Sequence, residues 1–171
     1  MPRTTAKLRK TRYQIRREEL GLSREKASEL LGTIPPERIE RIETGKYSAY
    51  PEEVLTMAEK YHEPLLCNFY CANDCAIGKQ YVPEVKTRDL AQIVLEMLAS
   101  LNSVKERQDR LIAITADGKV SADEVADFVS IQNQLEHISI TVEALQLWAE
   151  KQIAYGEIDL DAYHTAVNQE N

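Results

Sequence analysis

The sequence has few of the residues on which enzyme active sites depend. Its three histidines and one tryptophan are scattered along 171 residues. It contains no Ser/His/Asp cluster, no Gly-rich phosphate loop and no paired-carboxylate arrangement. We therefore predict that the protein is not an enzyme, with no catalytic residue and no cofactor.

Long hydrophobic runs are also missing. No stretch of about 18 consecutive apolar residues occurs, so the sequence predicts no membrane-spanning helix. The first five residues, MPRTT, are basic but lack the apolar stretch of a secretory signal. We expect a soluble protein that stays in the cytoplasm.

The three cysteines are odd in number and cannot form the disulfide framework of a small secreted domain. Cys67, Cys71 and Cys75 recur every four residues, which places them on one face of a helix. With His62 they offer ligands for zinc, and two of the thiols offer a redox pair. Zinc motifs more often separate paired cysteines by two residues. We therefore predict structural thiols and no metal site, with the zinc site and the redox pair as alternatives.

Positive charge is concentrated near the N-terminus of an acidic chain, whose net charge is -7. The first 50 residues carry twelve Lys/Arg and seven Glu, a net charge of +5. The other 121 residues carry nine basic and 21 acidic side chains, a net charge of -12. Lys and Arg release counterions when they contact phosphates, so this segregation indicates a polyanion-binding module. A solvated charged face is the alternative explanation.

Helix start and stop signals divide the first 72 residues into four or five short helices, the first over residues 7–19. Ser, Pro and Gly stand where caps, first positions and helix ends are expected. In chain order these residues are Gly21, Ser23, Gly32, Pro36, Gly45, Pro51 and Pro64. Short helices joined by turns of two to six residues predict a compact all-α bundle.

Three segments within this bundle resemble the Cro/CI-type helix-turn-helix family, also called the xenobiotic-response-element family. They are REELGLSREKASELLG, IERIETGK and PEEVLTMAEKY, and the resemblance covers about residues 8–70. It implies a phage-repressor-like domain of five helices. It also implies a bacterial or phage transcriptional regulator that binds double-stranded DNA.

The resemblance assigns roles to individual side chains, because the third helix of such a domain lies in the major groove while its neighbours contact phosphates. The implied phosphate contacts are Arg24, Lys46, Tyr47 and Ser48. The implied base contacts are Glu37, Arg38 and Arg41. Arg can pair with guanine and Glu can accept from cytosine. An exposed helix face would also be charged in a bundle that binds no ligand.

The chain departs from the family pattern before the third helix. Six residues, 33–38, separate Gly32 from Ile39 where the family usually has five. Pro35-Pro36 stands where small polar residues are common, and Arg24 stands where Gln is more usual. Three acidic residues are expected to reduce the positive potential of the third helix: Glu37, Glu40 and Glu43. These departures bear on which residues contact the bases more than on whether the domain has this fold.

The C-terminal half has the pattern of a helical hairpin. Apolar residues at three- and four-residue steps predict a long amphipathic helix over 87–116. Asp117-Gly118-Lys119 interrupts it, and the capping box Ser121-Ala122-Asp123-Glu124 begins a second helix that runs to about Tyr155. Two such hairpins packed side by side would bury both apolar stripes as a four-helix dimer interface.

These patterns predict three parts and one function. The parts are a helix-turn-helix DNA-binding domain over 1–72, a linker over 73–86 and a long antiparallel helical hairpin over 87–171. We predict a sequence-specific, repressor-like regulator that binds a palindromic operator as a homodimer through residues 87–155. The alternatives are a monomer whose stripe packs on its own N-terminal domain, a protein-interaction module without DNA binding, and a cysteine-based metal or redox sensor. The sequence identifies no effector.

Overall fold

The computed structural model describes residues 10–86 and 88–170. Within these residues it contains ten helices and no strand, which confirms the predicted all-α class. The helices form two compact units, residues 10–84 with 151–170 (the N-terminal unit) and residues 85–150 (the hairpin unit). In chain order the helices are α1 (Arg12–Glu19), α2 (Arg24–Leu31), α3 (Pro36–Glu43), α4 (Pro51–Lys60), α5 (Leu65–Asn73), α6 (Gly78–Tyr81), α7 (Leu90–Glu106), α8 (Gln108–Thr115), α9 (Val125–Tyr155) and α10 (Leu160–Glu170).

The first helices begin where their capping residues stand. The Thr11 side chain accepts a hydrogen bond from Gln14 N at the start of α1, so residues 10 and 11 precede this helix. The Ser23 hydroxyl accepts one from Lys26 N at the start of α2. Pro36 is the first residue of α3, where its missing N–H leaves no bond unmade. The predicted helical residues 7–9 lie outside the described residues.

An apolar core joins α1 to α5. Its most deeply buried side chains belong to Ala27, Ile39 and Met57, which are 0% exposed. The remaining members of the core are Tyr13, Leu31, Ile34, Ile42, Ala49, Val54, Ala58, Tyr61 and Leu66. Because these residues come from all five helices, the core fixes the orientation of α3.

Residues 73–86, predicted as a linker, are ordered and include α6. The Asn68 side chain donates a hydrogen bond to Pro83 O at 3.1 Å, which holds the segment against α5. A Cβ added at Gly78 would lie 2.1 Å from Cys71 O, so α5 and α6 approach closely only because this residue is glycine. Residues 73–84 therefore belong to the packing of the N-terminal unit.

The end of α9 also packs within the N-terminal unit. Lys151 Nζ donates to Glu63 Oε2 at 3.0 Å, and the Arg16 guanidinium lies 5.6 Å from the centre of the Tyr155 ring. Arg16 additionally donates from Nη2 to Tyr61 O at 2.8 Å. These contacts connect the chain near its C-terminus to α1 and to the α4–α5 turn.

The hairpin unit is antiparallel. Arg107 Nη1 donates to Ser130 Oγ at 2.5 Å, and Arg110 Nε donates to Asp127 Oδ2 at 2.7 Å. The step of three residues from Arg107 to Arg110 therefore matches a step of three residues backwards along α9, which is the register of an antiparallel pair. Gly118, with φ of +72°, lies in the turn between them.

The predicted long helix over 87–116 is divided. It breaks at Arg107, where φ is -108° and ψ is 7°, into α7 and α8. The sequence gives no Pro or Gly at this point, so no local signal marked the break. Among the described residues, no helix combines the length and apolar character needed to cross a membrane.

Candidate nucleic-acid interface

The surface singled out by the sequence is built by α2, α3 and the turn between them. Gly32 in this turn has φ of +72°, a conformation that glycine adopts without strain. Ile34 follows with 3% of its surface exposed, so the turn is anchored in the core. Ala27 on α2 and Ile39 on α3 are completely buried. One side of α3 is therefore fixed in the core and the other side faces solvent.

The solvent side of α3 carries charges of both signs. Ile39 and Ile42 are buried, whereas Glu37, Glu40 and Arg41 are exposed. The outward surface of α3 thus presents two carboxylates and one guanidinium. This is the set of charges that a duplex approaching α3 would meet.

Glu43 lies on the buried side of α3, where it binds two arginines. Its side chain is 1% exposed. Arg17 donates to it from Nε at 2.5 Å and from Nη2 at 3.0 Å, and Arg24 donates from Nε at 2.9 Å. The hydrogen bonds with Glu43 raise the pKa of Arg17. Contrary to the prediction, Glu43 does not reduce the outward positive potential of α3, because its charge is buried between two guanidinium groups.

Arg24 keeps part of its guanidinium at the surface despite this bond. Its side chain is 34% exposed, and Glu43 engages it through Nε. Arg24 is the first residue of α2, and a helix N-terminus favours anions. Arg24 is therefore available to a phosphate while Glu43 holds its position.

Arg38 is engaged within the chain. Its Nε donates to Glu53 Oε1 and its Nη2 to Glu53 Oε2, both at 2.7 Å, and Nη2 also donates to Ser48 O at 3.0 Å. The guanidinium lies 4.7 Å from the centre of the Tyr50 ring. Burial alone would raise the pKa of Glu53, but the hydrogen bonds from Arg38 and from Tyr50 N hold it below its usual value. Arg38 thus joins α3 to the first turn of α4.

The loop after α3 presents three exposed residues, Lys46, Tyr47 and Ser48. Lys46 Nζ lies 3.9 Å from Glu40 Oε1, a loose pair whose two side chains are both largely exposed. The Arg41 guanidinium lies 5.6 Å from the centre of the Tyr47 ring, and Tyr47 N donates to Arg41 O at 3.2 Å. The loop therefore extends the surface of α3 and supports one of its arginines.

A family model described as helix-turn-helix matches residues 14–66. The N-terminal domain belongs to the Cro/CI-type helix-turn-helix family. This confirms the resemblance seen in the sequence, and it supports a DNA-binding helix-turn-helix regulator. The match begins within α1 and ends within α5, so it leaves the hairpin unit unassigned. No curated protein and no solved structure matches the chain.

Within the helix-turn-helix domain, the residues predicted to contact DNA have different surroundings. Six of the seven reach the surface, namely Arg24, Glu37, Arg41, Lys46, Tyr47 and Ser48. The seventh, Arg38, has 18% of its side chain exposed and is bound to Glu53. Sequence reasoning missed the partners that position these residues. Arg17 and Glu43 are 26 positions apart, so no local pattern could join them.

The cysteines of the helix-turn-helix domain do not assemble a metal site. Cys67, Cys71 and Cys75 are partly buried on and just after α5. Throughout the described part of the chain, no three His, Cys, Asp or Glu side chains come together as metal ligands. His62 is exposed and adopts φ of 50° in the turn after α4. This geometry gives no support to the alternative of a zinc sensor.

Proposed function

We propose that this protein represses or activates transcription by binding, as a homodimer, a DNA operator with two-fold symmetry. Its helix-turn-helix domain supplies the contacts with DNA. Its hairpin unit supplies the contacts between two copies. The two parts of the proposal rest on different surfaces and are tested separately.

One observation carries the contact with DNA, namely the charge pattern around the outward side of α3. Arg41 and Lys46 are exposed, and Arg24 is partly exposed, around the C-terminal half of this helix. These cations suit phosphates and the major-groove edge of guanine. Glu37 and Glu40 lie beside them and suit a base amino group, such as that of cytosine. The surface thus combines groups for positioning on a duplex with groups that distinguish bases.

The hairpin unit supports the dimer through exposed apolar side chains. On α7 they lie at steps of four, four and three residues along one side: Leu90, Val94, Leu98 and Leu101. On α9 the apolar residues alternate at steps of three and four from Phe128 to Leu145, and Leu135 and Val142 of this series are exposed. Exposed apolar side chains at helical spacing of this kind usually mark an interface.

A second copy of the same hairpin is the occupant that fits this surface best. Alternation of three and four residues is the repeat by which α-helices pack along their length in coiled coils and bundles. An isologous interface needs a surface that is complementary to itself, which a stripe of Leu and Val side chains provides. The dimer would place two α3 helices on two half-sites.

Selection of bound duplexes from a random pool tests the contact with DNA. The full chain should enrich a sequence with two-fold symmetry and half-sites about 10 base pairs apart, the spacing of one helical turn. Enrichment of a sequence without symmetry would contradict the dimeric operator. No retention at low salt would overturn DNA binding and favour a domain that binds another protein.

The salt dependence of binding tests the assigned phosphate contacts. The slope of log affinity against log salt falls by about 0.9 for each phosphate contact that is removed. Lys46→Ala should therefore reduce the slope by about one. Lys60→Ala is the matched control, because Lys60 is an exposed lysine at the end of α4, outside the proposed surface. Equal slopes for both variants would remove Lys46 from the interface.

The mass of the full chain in solution tests the dimer. The wild type should sediment as a dimer at micromolar concentration. Leu135→Lys with Val142→Lys should sediment as a monomer, since two buried lysines would face their copies across the interface. Asn133→Lys, on another side of α9 and also exposed, should remain a dimer. A monomeric wild type, or dimers for both variants, would contradict this part of the proposal.

A further inference from the structure

The two arginines of α3 are equivalent in the sequence and differ in the structure. Both lie on the same short helix, three residues apart. Arg38 has 18% of its side chain exposed and is surrounded by groups of its own chain, whereas Arg41 is exposed. Their surroundings therefore determine which of them can reach a base.

The hydrogen bonds of Arg38 occupy the N–H groups that it would need to bind a base with two nitrogens at once. Bidentate recognition of guanine requires N–H groups on two different nitrogens of the guanidinium. The Nε–H of Arg38 is donated to Glu53, and the two N–H groups of Nη2 are donated to Glu53 and to Ser48 O. Only Nη1 is left. A base contact by Arg38 would first have to break a bidentate ion pair.

The bonds of Arg38 also close the loop that follows α3. Its partners are Ser48 O near the end of this loop and Glu53 in the first turn of α4. Glu53 in turn accepts from Tyr50 N at 2.7 Å. Arg38 lies on α3, before the loop, and its partners lie at the end of the loop and after it. Arg38 therefore closes the loop that carries Lys46 and Tyr47. A loop that is ordered before binding loses less conformational entropy on the duplex.

Arg41 has the opposite character. Its guanidinium lies over the Tyr47 ring, and no carboxylate among the described residues forms an ion pair with it. Stacking on an aromatic ring orients the plane of a guanidinium without using its N–H groups. The N–H groups of Arg41 are thus free to bind a base on the outward, solvent-facing side of α3.

We propose that Arg41 is the arginine that determines base specificity, and that Arg38 is a positioning residue that holds the phosphate-contacting loop in place. This proposal rests on the proposed function, since it concerns the same surface. It assigns guanine as the base that Arg41 contacts. It also assigns Tyr47 as the residue that orients Arg41.

A panel of operator duplexes, each with one base pair changed, separates the two roles. The wild type and the variants Arg38→Gln, Glu53→Gln and Arg41→Gln are titrated against every member. Arg41→Gln should lose about 10- to 100-fold of discrimination at one guanine position per half-site and keep the rest of the profile. Arg38→Gln and Glu53→Gln should bind every member about 3- to 10-fold more weakly, with a profile parallel to that of the wild type.

Two further measurements identify positioning as the cause. The amides of Lys46 to Ala49 should exchange faster in Arg38→Gln than in the wild type, while those of Ala27 and Ile39 in the core should not change. The double variant Arg38→Gln/Glu53→Gln should bind no more weakly than either single variant, because both remove one interaction. A general loss of stability would instead accelerate exchange throughout the domain, and that result would contradict a local role.

Several results would overturn the proposal. A change of base preference in Arg38→Gln would make Arg38 a base contact. A uniform loss of affinity in Arg41→Gln would remove Arg41 from base recognition. Failure of the wild type to bind any duplex would overturn the proposed function itself, and this would be evident before any variant is compared.

Discussion

The buried carboxylate of Glu43 binds two arginines, and we expect its removal to destabilise the helix-turn-helix domain. Glu43→Gln keeps the shape of the side chain and removes its charge. Arg17, whose side chain is 8% exposed, would then lose its buried carboxylate and keep only the 4.0 Å contact with the more exposed carboxylate of Glu18. Breaking a buried ion pair by removing one partner typically costs about 3 to 5 kcal/mol. Arg24 adds little to this cost, because its side chain is 34% exposed and water can solvate it.

This loss is large in relation to the stability of a domain. The free energy of unfolding of a domain is about 5 to 15 kcal/mol, so the substitution would remove about 30 to 50% of a mid-range value of about 10 kcal/mol. For a unit of this size, each kcal/mol corresponds to about 4 to 8 °C in Tm. We therefore expect the transition of the N-terminal unit to shift by at least about 12 °C.

Hydrogen exchange under native conditions is the assay that reports on this unit alone. The amides of Ala27 and Ile39, both on fully buried residues, give the free energy of opening of α2 and α3. Glu40→Gln is the matched control on the same helix, since its carboxylate is exposed and its loose pair with Lys46 contributes less than about 1 kcal/mol. The reasoning would be refuted if Glu43→Gln lowered the free energy of opening by less than about 1 kcal/mol, or by no more than Glu40→Gln does.

Two further substitutions test the packing of the same unit. Burial raises the pKa of Tyr61 to about 12, above its usual value of about 10. The contribution of the neutral hydroxyl to the free energy of unfolding is therefore fully present below pH 10 and is lost as the pH rises through 12. This stability should fall by about 3 kcal/mol as the pH rises to 12, and urea unfolding of Tyr61→Phe should lack that part of the decline. Gly78→Ala places a Cβ against Cys71 O and should lower the unfolding free energy by about 1 to 3 kcal/mol, as a clash with backbone cannot relax by a rotamer change. A loss below about 0.5 kcal/mol would show that α6 moves freely.

Local signals were sufficient to predict where the helices of the N-terminal unit begin. Ser23 caps α2 through its own hydroxyl, and Pro36 and Pro51 are the first residues of α3 and α4. Each signal acts within one turn of its helix, so it is visible in a window of a few residues. Ile39 and Ile42, three residues apart on α3, are both buried, because a helix fixes which residues share a face.

The ion-pair partners of the charged residues could not be predicted from the sequence. Arg38 meets Glu53 across 15 positions and Arg17 meets Glu43 across 26, after the loops have brought their helices together. In the sequence alone, nothing separates the charged residues of α3 that are exposed from those that are bound within the domain. Only the packing of α1, α3 and α4 shows which charges are already neutralised within the domain.

The exposed charges that remain have a consequence for recognition. Nonspecific binding to DNA is essentially electrostatic, and it grows with the number of cations that face phosphates. Glu37 and Glu40 lie on the same outward side as Arg41 and oppose such binding, as does the net charge of -12 on residues 51–171. We therefore expect weak affinity for random duplexes. A cognate operator must then gain its affinity from contacts with base edges, where a carboxylate that accepts from an amino group is attractive instead of repulsive. The acidic residues of α3 thus favour discrimination between sites at the expense of general affinity for DNA.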